Sequence, residues 1–154
     1  MTLEGEQSRK LRIITAYRVC SESIRTAPFG SAIAREYTYL NQYPSTSSAN
    51  PSRAFLNDLQ TAIQTLQNSD HMILLMLDAN ATLSSDLHLS HFIHSCMLLF
   101  LHAEAPAPST FIGSDSRRID YVVGCHAVQE AMSRSGTLSY TEGPQSDQRG
   151  LLAI

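Results

Sequence analysis

Met72 to Leu77 is an unbroken apolar run, and the chain turns polar at Asp78 and Asn80. A short apolar run bounded by polar residues reads as a strand buried on both faces. Upstream, Leu11 to Cys20 is rich in β-branched and aromatic residues and predicts another strand, ending near Tyr17. Between them, Ile33, Tyr37 and Leu40 recur at helical spacing, and the polar stretch 43–50 reads as a loop. A better-signed helix follows. Asn50 can cap it, Pro51 suits its first turn, and Phe55, Leu59, Ala62, Ile63 and Leu66 form its apolar stripe. It ends at Asn68 and Ser69, a few residues before the central strand, which is an α/β connection.

Beyond the central strand, Ser84 or Ser85 can cap a third helix running to about His102. The Pro- and Ala-rich stretch 104–109 breaks the pattern, and Thr110 to Ile112 reads as a short strand. Arg118 to Gly124 alternates as a strand, with Ile119, Tyr121 and Val123 on one side and Arg118, Asp120 and Val122 on the other. A short helix over 127–134, a strand over 136–140 and a last strand at 151–154 complete the prediction. Residues 1–10 read as a tail and 11–154 as one domain, the natural division for 154 residues.

Composition narrows the function classes. Apolar residues make up 43% and charged residues 16%, which is a globular composition with a sparsely charged surface. The formal charge of −3 and the absence of a basic block argue against binding nucleic acid by overall field, but not against a nuclease engaging a few phosphates through metal. The three cysteines are widely spaced and lack a CxxC pair, which points to a reduced, intracellular compartment, cytoplasmic or nuclear. The first ten residues lack the apolar core of a signal peptide, and no apolar run is long enough to span a bilayer, so a secreted or membrane protein is not expected.

Three features carry candidate chemistry. His88, His91 and His94 stand at three-residue steps. On a helix each step drifts by about 60°, so the outer pair splays by about 120° and solvated or half-buried histidines are expected rather than a metal site. Asp78 and Asn80 lie at the end of a central strand, where α/β proteins build sites, and face one side if the extended geometry continues. The plainer reading is a turn residue and a loop residue. Asp120 is a carboxylate inside an otherwise apolar strand, which signals an ion pair or a site.

In order, Ala16-Tyr17, Leu77-Asp78-Ala79-Asn80, Arg118-Ile119-Asp120-Tyr121 and Ser146-Asp147-Gln148 resemble the motifs of the endonuclease/exonuclease/phosphatase superfamily. Its corresponding motifs are G-D-x-N, R-I/L-D-Y and S-D-H, and the continuation Arg149-Gly150-Leu151 looks most like non-LTR retroelement endonucleases. The resemblance spans about Leu11 to Ile154. It implies an α/β fold: a truncated β-sandwich flanked by helices, part of the four-layer α-β-β-α DNase I-like arrangement. It also implies divalent-metal-dependent phosphodiesterase chemistry with nucleic acid as substrate. By resemblance, Asp78 activates the water, Asn80 and Tyr17 contact the phosphate, and Asp147 helps hold Mg²⁺ or Mn²⁺, hard ions suited to carboxylate oxygen. Asp120 would orient the next catalytic group.

Two departures temper the expected activity. The family's histidine is Gln148 here, a carboxamide that cannot carry a proton charge near neutral pH. The family also has an upstream half supplying an Asn and a metal-binding Glu, whereas the first family-like strand here starts at Leu11. Glu4 and Glu6 do not stand in the family's Q-E motif, and a single carboxylate is a poor Mg²⁺ site. The expectation is therefore a crippled or inactive nuclease domain. The alternative is a non-catalytic binding module or retroelement-derived relic, with the missing half or a protein partner over its exposed sheet.

Overall fold

The computed structural model describes residues 1–4, 10–19, 28–42, 50–101, 110, 118–132, 135–137 and 151–153. The chain is a mixed α/β protein. Its sheet has five strands: β1 (Thr2–Glu4), β2 (Lys10–Tyr17), β3 (His71–Asp78), β4 (Leu99–Phe100) and β5 (Asp120–Gly124). Of these, β2, β3 and β5 lie where apolar or alternating segments predict them, β1 lies in the stretch read as a tail, and β4 lies where the third helix was expected to continue. The order across the sheet is β1-β2-β3-β5-β4, with β2 and β3 parallel and every other neighbouring pair antiparallel. Thr2–Glu4, within the stretch read as a tail, adds an antiparallel edge strand to β2. A separate antiparallel pair joins β6 (Ser135–Thr137) and β7 (Leu151–Ala153).

The parallel pairing of β2 and β3 needs a crossover, and two helices supply it: α1 (Ala32–Gln42) and α2 (Pro51–Gln67). Asn50 caps α2 as predicted, accepting a hydrogen bond from the Arg53 N–H at 3.2 Å, with Pro51 in the first turn. The buried stripe of α2 differs from the sequence reading. Leu56 and Ile63 are its centre, Phe55, Leu59 and Leu66 flank it, and Ala62 is exposed. Leu56 and Ile63 are seven residues apart, two turns, and so project from one face.

The third helix, α3 (Leu87–Ser95), is shorter than expected and starts later. Asp86 rather than either serine caps it, accepting from the N–H groups of His88 at 2.9 Å and Leu89 at 3.1 Å. Ser84 and Ser85 belong to the preceding turn, where their hydroxyls bond to Thr82. The helix ends at Cys96, and Met97 takes a left-handed φ of 51° before β4 begins. The side-chain amides of Gln64 and Gln67 on α2 donate to the carbonyls of Ser95 and Cys96, satisfying acceptors the helix end leaves open. A last short helix, α4 (His126–Ala131), follows β5.

Ile73, Leu75 and Leu77 of β3 are buried with Leu56 and Ile63 of α2, Leu89, Phe92 and Ile93 of α3, and Tyr121 and Val123 of β5. This is the core. The opposite face of β3 is not equally covered: Met76 is 39% exposed, so the strand is buried on one face rather than both. By register, the exposed side chains of Leu3 and Leu99 share that open face.

Cys96 lies wholly inside the core, and burial pushes its thiol up to about 11. Its reactivity is therefore a readout of the α3–β4 corner. With Cys20 and Cys125 replaced by serine, native protein at pH 8 is expected to leave Cys96 unlabelled by Ellman's reagent and to react fully in urea. Prompt native labelling would show that the corner opens.

Candidate functional site

The strand register gathers three of the residues singled out in the sequence. Tyr17 at the end of β2 is the partner of Asp78 at the end of β3, and Asp78 is the partner of Asp120 at the start of β5. Paired residues on neighbouring strands share a face, so Tyr17, Asp78 and Asp120 form one row across three strands. Leu77 points into the core, which places the row on the open face. Tyr17 is 59% exposed, and both carboxylates are half-buried. Directly opposed residues of antiparallel strands have Cβ atoms about 4.5–5.5 Å apart, so the two acidic side chains leave the sheet side by side.

The end of β3 is fastened on both sides. The Arg18 N–H donates to the Asp78 carbonyl at 2.8 Å, and the Ala79 N–H donates to the Ile119 carbonyl at 2.8 Å. The extended geometry stops there. Asn80 adopts a left-handed φ of 48°, a conformation asparagine tolerates better than most residues. Its N–H donates to Asp78 Oδ1 at 3.1 Å, and its side-chain Nδ2 donates to the Arg18 carbonyl at 2.7 Å. Asn80 thus does not extend the row beside Asp78. It turns back to the end of β2 and ties the two parallel strands together, with one amide hydrogen committed to the backbone.

Behind the row stands an ion pair, buried on its arginine side, that the sequence reading missed. Arg18 is 4% exposed, and its Nη2 donates to Asp86 Oδ2 at 2.5 Å. Burial works to raise the Asp86 carboxyl. The hydrogen bond from Arg18, the two N–H groups at the start of α3 and the arginine charge outweigh it and hold it below the usual range. A charged residue directly after an apolar strand, and an Asp directly before an apolar periodic run, were the available signals.

Tyr121 is a fastener inside the core. Its hydroxyl accepts from the Leu83 N–H at 3.2 Å, and its one proton lies within reach of the Arg118 carbonyl at 2.9 Å and the Ala81 carbonyl at 3.1 Å. Burial, first, raises its hydroxyl above the ordinary value. Thr110 completes the frame: its buried Oγ1 accepts from the N–H groups of Ile119 and Asp120, both at 3.1 Å. Arg118, two residues before Asp120, is half-buried, and its Nε and Nη2 have no hydrogen-bond partner among the described residues. Burial lowers the pKa of its guanidinium.

Asp147 and Gln148, the remaining predicted site residues, lie outside the described residues, as do Ser146 and Arg149. The three histidines of α3 are all exposed, in keeping with the solvated reading. Among the described residues, no group of three or more His, Cys, Asp or Glu side chains could hold a metal ion. Carboxylate oxygens are hard donors, the kind that an ion such as Mg²⁺ takes while keeping several of its own waters.

Fold and site together define a mixed α/β protein with a carboxylate pair at the ends of its central strands. No model of a known protein family matches the chain, and no curated protein matches it. No helix among the described residues is long and apolar enough to cross a membrane.

Proposed function

We propose that this chain is a divalent-metal-dependent phosphodiesterase or endonuclease domain of the endonuclease/exonuclease/phosphatase type, with crippled catalysis. The observation that carries this reading is the row Tyr17–Asp78–Asp120, set at strand ends by the sheet register. Motifs far apart in sequence supply one face of one sheet. In this reading the sheet and its helices are one part of the larger DNase I-like sandwich, and nucleic acid is the substrate.

Asp78 would orient and deprotonate the attacking water. Tyr17, exposed beside it, would donate to a phosphate oxygen. Asn80 has a second amide hydrogen for the phosphate while the first holds the backbone. Asp147 would help hold Mg²⁺ or Mn²⁺, which would supply charge neutralisation and a more acidic water when bound. Asp120 would brace position 148, where glutamine can donate a hydrogen bond but cannot shuttle a proton.

The test is nicking of supercoiled plasmid and of an abasic duplex under Mg²⁺ or Mn²⁺, with Asp78→Ala as control. The native chain is expected to stay near the control. Gln148→His is expected to raise metal-dependent nicking by about 10²-fold, the lower range for a restored acid–base group. That gain must disappear in the Asp78→Ala background. A folded Gln148→His protein with no gain would overturn the reading.

A second reading is favoured by one specific observation. Asp78 Oδ1 and Asn80 Nδ2 are both engaged within the chain. On this reading the scaffold is a non-catalytic binding module or a relic. Its open sheet face meets a protein partner, and Gln148→His changes nothing.

A further inference from the structure

Away from the row, α1 carries a cleft of about 580 Å³. Ala34, Arg35, Thr38 and Tyr39 line it from the helix, where residues three and four apart are neighbours, and Phe29 lines it from the turn before the helix. The volume lies in the range of small-molecule sites, about 300–1,000 Å³.

Phe29 is the informative residue. It is fully exposed and contributes nothing to the core, yet its backbone is fixed. The turn Pro28-Phe29-Gly30-Ser31 closes with the Ser31 N–H donating to the Pro28 carbonyl at 3.0 Å. Gly30 has φ +82°, the left-handed value a type II turn demands at its third position. A Cβ there would meet nothing within 4 Å, so the glycine serves the conformation and not a close contact. Ser31 then starts the helix, its Oγ accepting from the Ala34 N–H at 3.4 Å and its carbonyl from the Arg35 N–H at 3.0 Å. The turn thus presents an aromatic ring to solvent at the cleft. Tyr39, 61% exposed, supplies a second ring from the helix. Arg35 is exposed, forms no salt bridge with any described residue, and among the described residues is the only charged side chain lining the cleft.

Two exposed rings and one cation around a mostly apolar cleft suit a ligand with a planar π-face and a single negative group. We propose that this cleft binds a nucleoside monophosphate unit, its base stacked on Phe29 and Tyr39 and its phosphate on Arg35. Stacking on aromatic faces is tolerant of base identity, and arginine pairs with phosphate through two parallel N–H donors. A neighbouring cleft shares Arg35 and Tyr39 but adds Glu36 and Asp58. Those carboxylates would repel a second phosphate and confine the site to one unit. The proposal does not rest on the phosphodiesterase reading, because the α1 cleft shares no residue with the row.

The test is titration of the ¹⁵N-labelled full chain with AMP, adenosine, inorganic phosphate and a single-stranded tetranucleotide. AMP is expected to shift the amides of Ala34, Arg35 and Thr38. Adenosine is expected to bind about tenfold more weakly, and phosphate alone not to bind. Arg35→Gln should reduce AMP to the adenosine level, and Tyr39→Ala should weaken both by about tenfold or more. Tyr39→Phe should retain binding, which separates stacking from loss of the hydroxyl. All these side chains are exposed, and unchanged thermal midpoints will show that the variants fold. Tighter binding of the tetranucleotide identifies a strand as the source of the unit; equal or weaker binding identifies the free nucleotide. No shift at α1 with any base-containing probe at 5 mM (about the weakest affinity such contacts give) overturns the proposal, as does binding unaffected by Arg35→Gln and Tyr39→Ala.

Discussion

Asp86→Ala lowers the stability of the fold by about 3–5 kcal/mol, the range for breaking a buried ion pair from one side. The loss has two sources. Arg18 remains inside with its Nη2 no longer bonded to a carboxylate, and α3 loses the acceptor for the N–H groups of His88 and Leu89. Loss of the cap alone costs about 0.5–2 kcal/mol, so a larger measured value reports the stranded arginine. Urea unfolding at neutral pH measures the total. The double variant Arg18→Met/Asp86→Ala should recover much of it, because no uncompensated charge stays buried. An Asp86→Ala protein within 1 kcal/mol of native, against the roughly 1 kcal/mol expected of an ordinary cap, would show that the pair contributes nothing. The same contact has a pH signature. The Asp86 carboxyl is held below its ordinary range in the folded chain. Its contribution is therefore complete above the unfolded value of about 4 and is lost as pH falls through the lower folded value. In Asp86→Ala, stability should depend less on pH in that acid window.

Tyr121→Ala is expected to cost about 3–5 kcal/mol, as for other large aromatic truncations in a core. Tyr121 is buried among Leu77, Phe92 and Val123, with its ring centroid 6.0 Å from that of Phe100. Tyr121→Phe isolates the hydroxyl. It keeps the ring but removes the acceptor for the Leu83 N–H and the donor to the Arg118 and Ala81 carbonyls, for a loss of about 1–3 kcal/mol. The hydroxyl bridges the loop after β3 to the start of β5. Hydrogen exchange at Leu83 should therefore speed up in Tyr121→Phe by more than global destabilisation explains. Equal acceleration at Leu83 and at the core amides of β3 would show that the bridge has no local effect.

The central elements could be read from the chain because their signals are local. The run Met72 to Leu77 and the cap pair Asn50-Pro51 state their structure within a few residues. The row was legible only in part. That Asp78 and Asp120 carry the same chemistry is visible in the sequence, but their pairing depends on a register between strands some forty residues apart. Asn80 was misplaced because the strand period was extended past Asp78, while an Asx-type bond from the Asn80 N–H bends the chain there. Asp86 was passed over for Ser84 and Ser85 because three capping residues stand together. Only the tertiary position of Arg18, 68 residues away, selects among them. Strand β1 is too short and too mixed in composition to signal itself, and its pairing with β2 is what makes it a strand.

The fastening of the Asp78–Asn80 corner has a consequence for how such a corner changes over generations. Its shape is maintained by bonds inside the chain, from Asn80 to Asp78 and Arg18 and from Arg18 to Asp86. Selection for a stable fold is therefore enough to preserve it. Substitutions elsewhere in the chain can accumulate while the corner stays intact, because its geometry depends on these internal bonds and not on turnover. The shape of such a corner thus reports on selection for folding, and only a measured rate reports on activity.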